Sequence, residues 1–207
     1  MRVAFVVGHP AHVHFFRNAI GELRRAGHDI SILAVEREMT SQLLSYYGLP
    51  FVSLGRNHPT VVGKALGLPV KDLKALRFLS HAKPDLVVST GSPYAAHAAA
   101  VLAVPNIAFG DTEIASIITQ LVLPFADAIC TPSCFAKDLG RSQIRYNGYK
   151  ELAYLHPRWF KPNPQVLTRL NVGPEDRIIV VRFSSWDSSH DLRERQFHSC
   201  SNASLTR

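Results

Sequence analysis

Cysteine is scarce in this sequence: Cys130, Cys134 and Cys200 are the only three, and three thiols cannot all pair within one chain. Cys130 and Cys134 have no second Cys/His pair at zinc-site spacing, so a structural zinc site has no support. Free thiols in a reducing cytoplasm are the simplest account. A long apolar run is also missing. Residues 114–129 come nearest, but they carry Gln120, Pro124 and Asp127. That composition argues against a membrane-spanning helix and leaves shallow membrane contact open. The apolar run at residues 3–7 is too short for the core of a signal peptide, and Gly8, His9 and Pro10 interrupt it. Basic residues are scattered (Arg24, Arg25, Lys71, Lys74, Arg141, Arg145) and form no block interleaved with aromatics, which argues against nucleic acid as a partner. The dinucleotide fingerprint G-x-G-x-x-G is absent.

What is present is ordinary for a folded protein, with 46% hydrophobic and 19% charged residues. A length of 207 residues holds one good-sized domain and part of another. The formal charge of +7 favours anionic partners: phosphates, nucleotides or an acidic membrane surface.

Short β-branched runs alternate with amphipathic stretches. Residues 3–7 lack polar alternation, as a strand buried on both faces should. A helix follows with Phe15, Phe16, Ala19, Ile20 and Leu23 on one face and Gly27 as its stop. Strands are expected near 30–34, 51–54, 86–89, 107–109 and 128–130. Helices are expected near 40–47, 69–81, 93–102 and 113–123. In the helix expected at 69–81, Leu73, Leu76 and Leu79 should point inward, while 60–68 reads as a glycine-interrupted connection. This order predicts an α/β, doubly wound parallel sheet with right-handed crossovers and a binding crevice at the carboxyl ends of its strands. The first domain is expected over 1–155, followed by a linker and short helix over 156–176. A strand from 177 to 183 would open a second domain, expected over 177–192. Residues 193–207 show neither helical nor strand period and read as a disordered or out-of-frame tail.

Three loops should open on that crevice. The first holds Gly8, His9, His12 and His14 at a helix start, where free N–H groups favour an anion and histidine can act as a base. Its plainer reading has His12 capping the helix and His14 partly buried. The second holds Gly91 and Ser92, for which capping alone is a sufficient account. The third holds Asp111, Thr112 and Glu113, which suit either a helix cap or contacts to sugar hydroxyls. Asn147 and Gly148 form a turn where the first domain ends. Arg182 suits a phosphate, within a Ser/Asp-rich loop that would serve equally as a plain turn.

These residues, in this order, resemble the domain of unknown function 354 family. The resemblance rests on residues 9–16, on Pro84-Asp85-Leu86-Val87-Val88-Ser89, on Asp111-Thr112-Glu113 and on 146–155. It rests also on Arg182-Phe183 through Trp186-Asp187 to Ser189-His190-Asp191. That family is similar to glycosyltransferases built of two facing Rossmann-like domains, the B-type fold. More distantly it is similar to the peptidoglycan-precursor N-acetylglucosaminyltransferase and to UDP-N-acetylglucosamine 2-epimerases. The resemblance implies an acceptor-side first domain and a second domain that binds a nucleotide-sugar, a UDP-sugar above all. It makes His12, Asp111 and Glu113 base or acceptor-side candidates. Gly8, His9, His14, Gly91, Ser92, Thr112, Asn147 and Gly148 become substrate-binding candidates, with Arg182, Ser185, Trp186 and His190 facing the donor. No cofactor and no essential metal is expected. The acceptor would be a sugar or a lipid-linked molecule, met in the cytoplasm or at the inner face of the membrane. The sequence departs from the family pattern after about Leu192, so little transferase activity is expected of this chain alone. Two rivals stay open: a nucleotide-sugar epimerase and a non-catalytic module for anionic ligands.

Overall fold

The computed structural model describes residues 1–37, 39–58, 60–113, 116–173 and 175–181. The chain divides into two units, Met1–Pro162 and Asn163–Arg207. The first is built on seven strands: β1 (Arg2–Val7), β2 (Asp29–Glu36), β3 (Val52–Arg56), β4 (Leu86–Ser89), β5 (Asn106–Phe109), β6 (Ala128–Pro132) and β7 (Gln143–Tyr146). All pair in parallel, in the spatial order β3-β2-β1-β4-β5-β6-β7. The chain thus moves outward from β1 to β3, then returns to place β4 on β1's other side. This reversal makes the topological switch point, between the carboxyl ends of β1 and β4.

β1 shows why both faces need apolar residues. Val3, Phe5 and Val7 feed one core with Val13, Phe16 and Ile20 of helix α1 (Pro10–Arg25) and Leu44 of helix α2 (Thr40–Tyr46). Ala4 and Val6 feed the other, against Ala75 and Leu79 of helix α3 (Val61–Ala82) and Ala95, Ala98 and Ala99 of helix α4 (Pro93–Val101). Alternate side chains of a strand leave on opposite faces, so a strand covered on both sides reads as a continuous apolar run. Gly27 and Gly48, expected as helix stops, lie just beyond α1 and α2 at φ +81 and +62, where a side chain is disfavoured.

Three local expectations need correction. Residues 60–68 are not a connection but the first turns of α3. Thr60 caps the helix by accepting from Gly63 N–H at 3.0 Å. A Cβ at Gly63 or at Gly67 would lie 2.9 Å from the His58 side chain. Those glycines admit His58 against the helix; they do not end it. Leu79 is buried and Leu76 packs beside the core, but Leu73 is 67% exposed. Of the helix expected at 113–123, the described residues show α5 (Ser116–Val122), and its expected last residue instead opens a 3₁₀ turn, Leu123–Phe125. β7 is a further edge strand that the sequence reading lacks: its residues, Gln143-Ile144-Arg145-Tyr146, carry no apolar run like those of β4.

A short helix α6 (Leu152–Leu155) packs on α1 late in the first unit, where Asn18 Nδ2 donates to the Ala153 carbonyl at 2.7 Å. In the second unit, α7 (Gln165–Arg169) lies where a short helix was expected. Residues 177–181 pair in no ladder among the described residues, and Ile179 and Val180 are exposed. The remainder of the expected strand, and the tail, lie outside the described residues. Cys130 and Cys134 are free thiols. No helix among the described residues is long and apolar enough to cross a membrane.

Candidate functional site

The site begins where β1 runs out. His9 takes an extended conformation (φ −157, ψ 150) and caps α1, its Nδ1 accepting from Ala11 N–H at 3.1 Å, with Pro10 in the first turn. The cap is therefore His9 rather than His12. This leaves His12, on the first turn, free to face the switch point. His12 Nδ1 accepts from Gly8 N–H at 3.2 Å and lies 2.6 Å from Thr90 Oγ1, in the loop after β4. Two loops that are 78 residues apart in sequence are joined at this ring.

His12 and Thr90 line a cavity of about 40 Å³ together with Ala11 and Phe15 of α1, Phe109 at the end of β5, Gly110, Asp111, Tyr146 at the end of β7, and Lys150. That volume holds a few waters or one small polar group. Asp111 and Lys150, both in its lining, form an ion pair. Burial, then the neighbouring positive charges of His9 and Lys150, push the His12 pKa down to about 3. The ring is therefore neutral through the physiological range. Burial first, and next the Asp111 carboxylate, raise the Tyr146 hydroxyl. The cavity thus combines a neutral imidazole, a hydroxyl, a carboxylate and an ammonium, walled by two phenyl rings.

The other candidates fall as follows. Thr112 Oγ1 donates to Asp111 Oδ1 at 3.1 Å and so supports the site from behind. Glu113 does not line the cavity. Its Oε1 accepts from Ala136 N–H at 2.5 Å and its carbonyl accepts from Lys137 Nζ at 2.7 Å, which ties the loop after β5 to residues 136–137. The Glu113 carboxylate, a base candidate by sequence, is thus held at Ala136 rather than at the cavity. Gly91 takes φ +68 in the turn after Thr90, and Ser92 caps α4 by accepting from Ala95 N–H at 3.4 Å. For Ser92 the capping account is the one realised. His14 lies beside Tyr47 and Tyr154, with Nδ1 3.3 Å from Tyr47 Oη, and is outside the cavity. Asn147 and Gly148 sit in the bend between Tyr146 and Lys150. A Cβ at Gly148 would meet Leu152 at 3.6 Å, an ordinary contact, so no close approach requires glycine there. Arg182, Ser185, Trp186 and His190 lie outside the described residues.

Sequence reasoning overlooked Thr90, Tyr146, Lys150, Phe15 and Phe109 as lining residues. Thr90 adjoins Gly91, and Tyr146 and Lys150 belong to the distinctive 146–155 stretch, so the signal was present in the segments but not at the residues. Among the described residues no group of three His, Cys, Asp or Glu is placed to hold a metal ion.

A doubly wound parallel sheet with a polar cavity at its switch point is the Rossmann-like architecture of one half of a B-type glycosyltransferase fold. The chain belongs to the family described as protein of unknown function (DUF354), whose model matches residues 2–196. Among solved structures it is similar to MurG of Acinetobacter baumannii, at 14% identity and TM-score 0.57, covering 70% of this chain and 45% of that one. It is similar to UDP-GlcNAc 2-epimerase of Neisseria meningitidis bound to UDP-GlcNAc, at 18% identity and TM-score 0.58, covering 75% and 48%. S. aureus MnaA, in a co-structure with UDP, aligns at 14% identity and TM-score 0.58, covering 82% and 51%. The chain spans about half the length of these proteins, and at such identities the likeness is one of fold. No curated protein matches the sequence.

Proposed function

We propose that the Met1–Pro162 unit is the acceptor-side half of a sugar-transferring enzyme whose donor is a nucleotide-sugar, a UDP-sugar first. The observation that carries the reading is the convergence of His12, Thr90, Asp111 and Lys150 on one cavity at the switch point. An acceptor hydroxyl seated there would give its proton to the Asp111 carboxylate as its oxygen attacks the anomeric carbon. The bond from that carbon to the donor's phosphate oxygen breaks, and its electron pair leaves with the nucleotide diphosphate. A second, facing domain would hold the donor, with Arg182, Ser185, Trp186 and His190 expected on its side. Two structural neighbours are complexes with UDP-GlcNAc or UDP, which is why a uridine donor comes first. Epimerases among those neighbours make isomerisation the rival reading.

One assay separates them. To a form of the protein that carries a complete facing domain, UDP-sugars are supplied alone and then with a panel of sugar and lipid-linked acceptors, and nucleotide release and sugar products are followed. Product that forms only with acceptor is the expected result. An isomerised sugar from donor alone would favour the epimerase, and nucleotide-sugars that neither react nor raise the melting temperature would favour a binding module.

An acceptor met at a membrane surface is supported by helix α3. Val62, Leu66, Val70 and Leu73 are 68%, 74%, 55% and 67% exposed, at a spacing that sets them in one stripe. Lys74 and Arg77 are exposed on the following turns, while the helix's single acid, Asp72, is turned to His97 at 3.0 Å. An apolar stripe with basic flanks and no free acid suits the surface of an anionic bilayer. Vesicles of anionic phospholipid should therefore sediment the protein, and Leu66→Glu/Leu73→Glu should weaken this by more than about tenfold. Equal behaviour of parent and variant, or a dimer in solution that the variant abolishes, would remove the membrane from the account.

A further inference from the structure

The geometry points to His12 as a hydrogen-bond donor to the acceptor oxygen through Nε2–H, with Asp111 alone left to take the proton. The inference rests on the acceptor-side reading of the cavity, but its central observation is independent of it. A backbone N–H can only donate, so the Gly8 contact at 3.2 Å requires an unprotonated Nδ1. The Thr90 hydroxyl, 2.6 Å from the same nitrogen, can rotate to donate as well. A ring flipped by 180° would put Cδ2 at 2.6 Å from that oxygen, inside van der Waals contact, so the nitrogen's position is not interchangeable. An imidazolium would aim a second N–H at Gly8 N–H. Only the neutral Nε2–H form meets both contacts.

The surroundings agree. Burial, with His9, Lys150 and Arg37 as nearby positive groups against the single carboxylate of Asp111, keeps the ring uncharged well below neutral pH. Nε2 has no partner among the described residues, and His12 lines the cavity. A hydroxyl that accepts from Nε2–H and donates to Asp111 has one lone pair left for attack on a sugar carbon. His12 then orients the nucleophile, and it cannot serve as a base because its only basic nitrogen is committed to Gly8 and Thr90.

The first test needs no activity. Imidazole nitrogen–proton correlation spectra of the full chain, labelled at histidine and assigned through His12→Gln, should show Nδ1 unprotonated and Nε2 protonated, unchanged from pH 8 to 5. An Nδ1–H tautomer, or titration near pH 6.5, would overturn the inference whatever the protein's reaction. A second readout is acid stability. The unfolded histidine binds a proton below about pH 6.5 and the folded one does not until about pH 3, so stability falls as pH drops between them. The melting temperature of His12→Gln should drop less than the parent's from pH 7 to 4.5; an equal drop counts against a neutral ring. Once transfer is measured, His12→Gln, which keeps an N–H donor, should lose less than about tenfold and His12→Ala, which loses the orienting contact, more than about a hundredfold. Equal losses would exclude the donor role. Absent transfer by a form carrying a complete facing domain, with the spectra as expected, would fault the acceptor-side reading and leave the tautomer standing.

Discussion

Phe16→Ala should lower the stability of the first unit by about 3–5 kcal/mol, the largest effect expected of any single truncation here. Phe16 is 3% exposed and sits at the centre of a ring cluster. Its centroid is 5.1 Å from that of Phe5 in β1, 4.7 Å from Phe15 and 5.9 Å from Phe109. Removing it loses both the transfer free energy of the ring and the tilted aromatic contacts, and leaves a void between α1 and the sheet. Phe15 and Phe109 are also walls of the cavity, so their relaxation into that void should loosen ligand binding along with the fold. Urea titration should show a lower midpoint at unchanged slope. Phe16→Leu, which keeps most of the volume, should cost about 1–1.5 kcal/mol and retain binding. A loss below about 1 kcal/mol for the alanine variant would mean that α1 is not held by this cluster.

Asp111→Asn should slow transfer by about 10²–10⁴-fold with little change in folding. The amide keeps the size of the carboxylate and can still accept from Lys150 Nζ, but it cannot take a proton. Folding is nearly indifferent because the pair is partly open to solvent, with 34% of the Asp111 side chain and 30% of that of Lys150 exposed. Such pairs contribute about 0–1 kcal/mol. Lys150→Met separates charge from chemistry. It leaves the carboxylate in place without its cation, so binding of the acceptor should weaken more than turnover falls. The outcome that would sink the assignment is full turnover in Asp111→Asn. Glu113→Gln is the internal contrast: Gln still accepts from Ala136 N–H, so its effect should be small.

Much of this site was legible at the level of loops and little at the level of atoms. The segments at 8–14, 90–92 and 111–113 were drawn to one crevice by the strand pattern and that at 146–150 only to the end of the first domain; the structure brings residues of all four together. Within them the assignment of individual residues followed composition, and composition favoured histidines and glycines. His14 looks as able as His12, yet two residues along the helix, a rotation of about 200°, set it on Tyr47 and Tyr154. Glu113 looks as able as Asp111, yet the N–H of Ala136 holds it. Lys150 was passed over because a lone lysine in a mixed segment carries no pattern.

Local chemistry by itself determined the alternation of elements, the double-sided burial of β1 and the stops at Gly27 and Gly48. Each of these depends on neighbours within a few residues: side-chain alternation along a strand, hydrogen bonds along a helix, a positive φ just beyond its end. Tertiary structure decided what depends on distance through space. Strand order puts β4, not β3, beside β1 on the far side from β2, so that Thr90 meets His12. That meeting, with Gly8, selects which ring nitrogen is free, and burial beside Lys150 keeps the ring neutral. Even the glycines of α3 gain their meaning from His58, a neighbour in space rather than a signal in the helix itself. Sequence carries the periods of the chain; the identity of a donor or a base comes from partners that only the folded sheet brings within 3 Å or so.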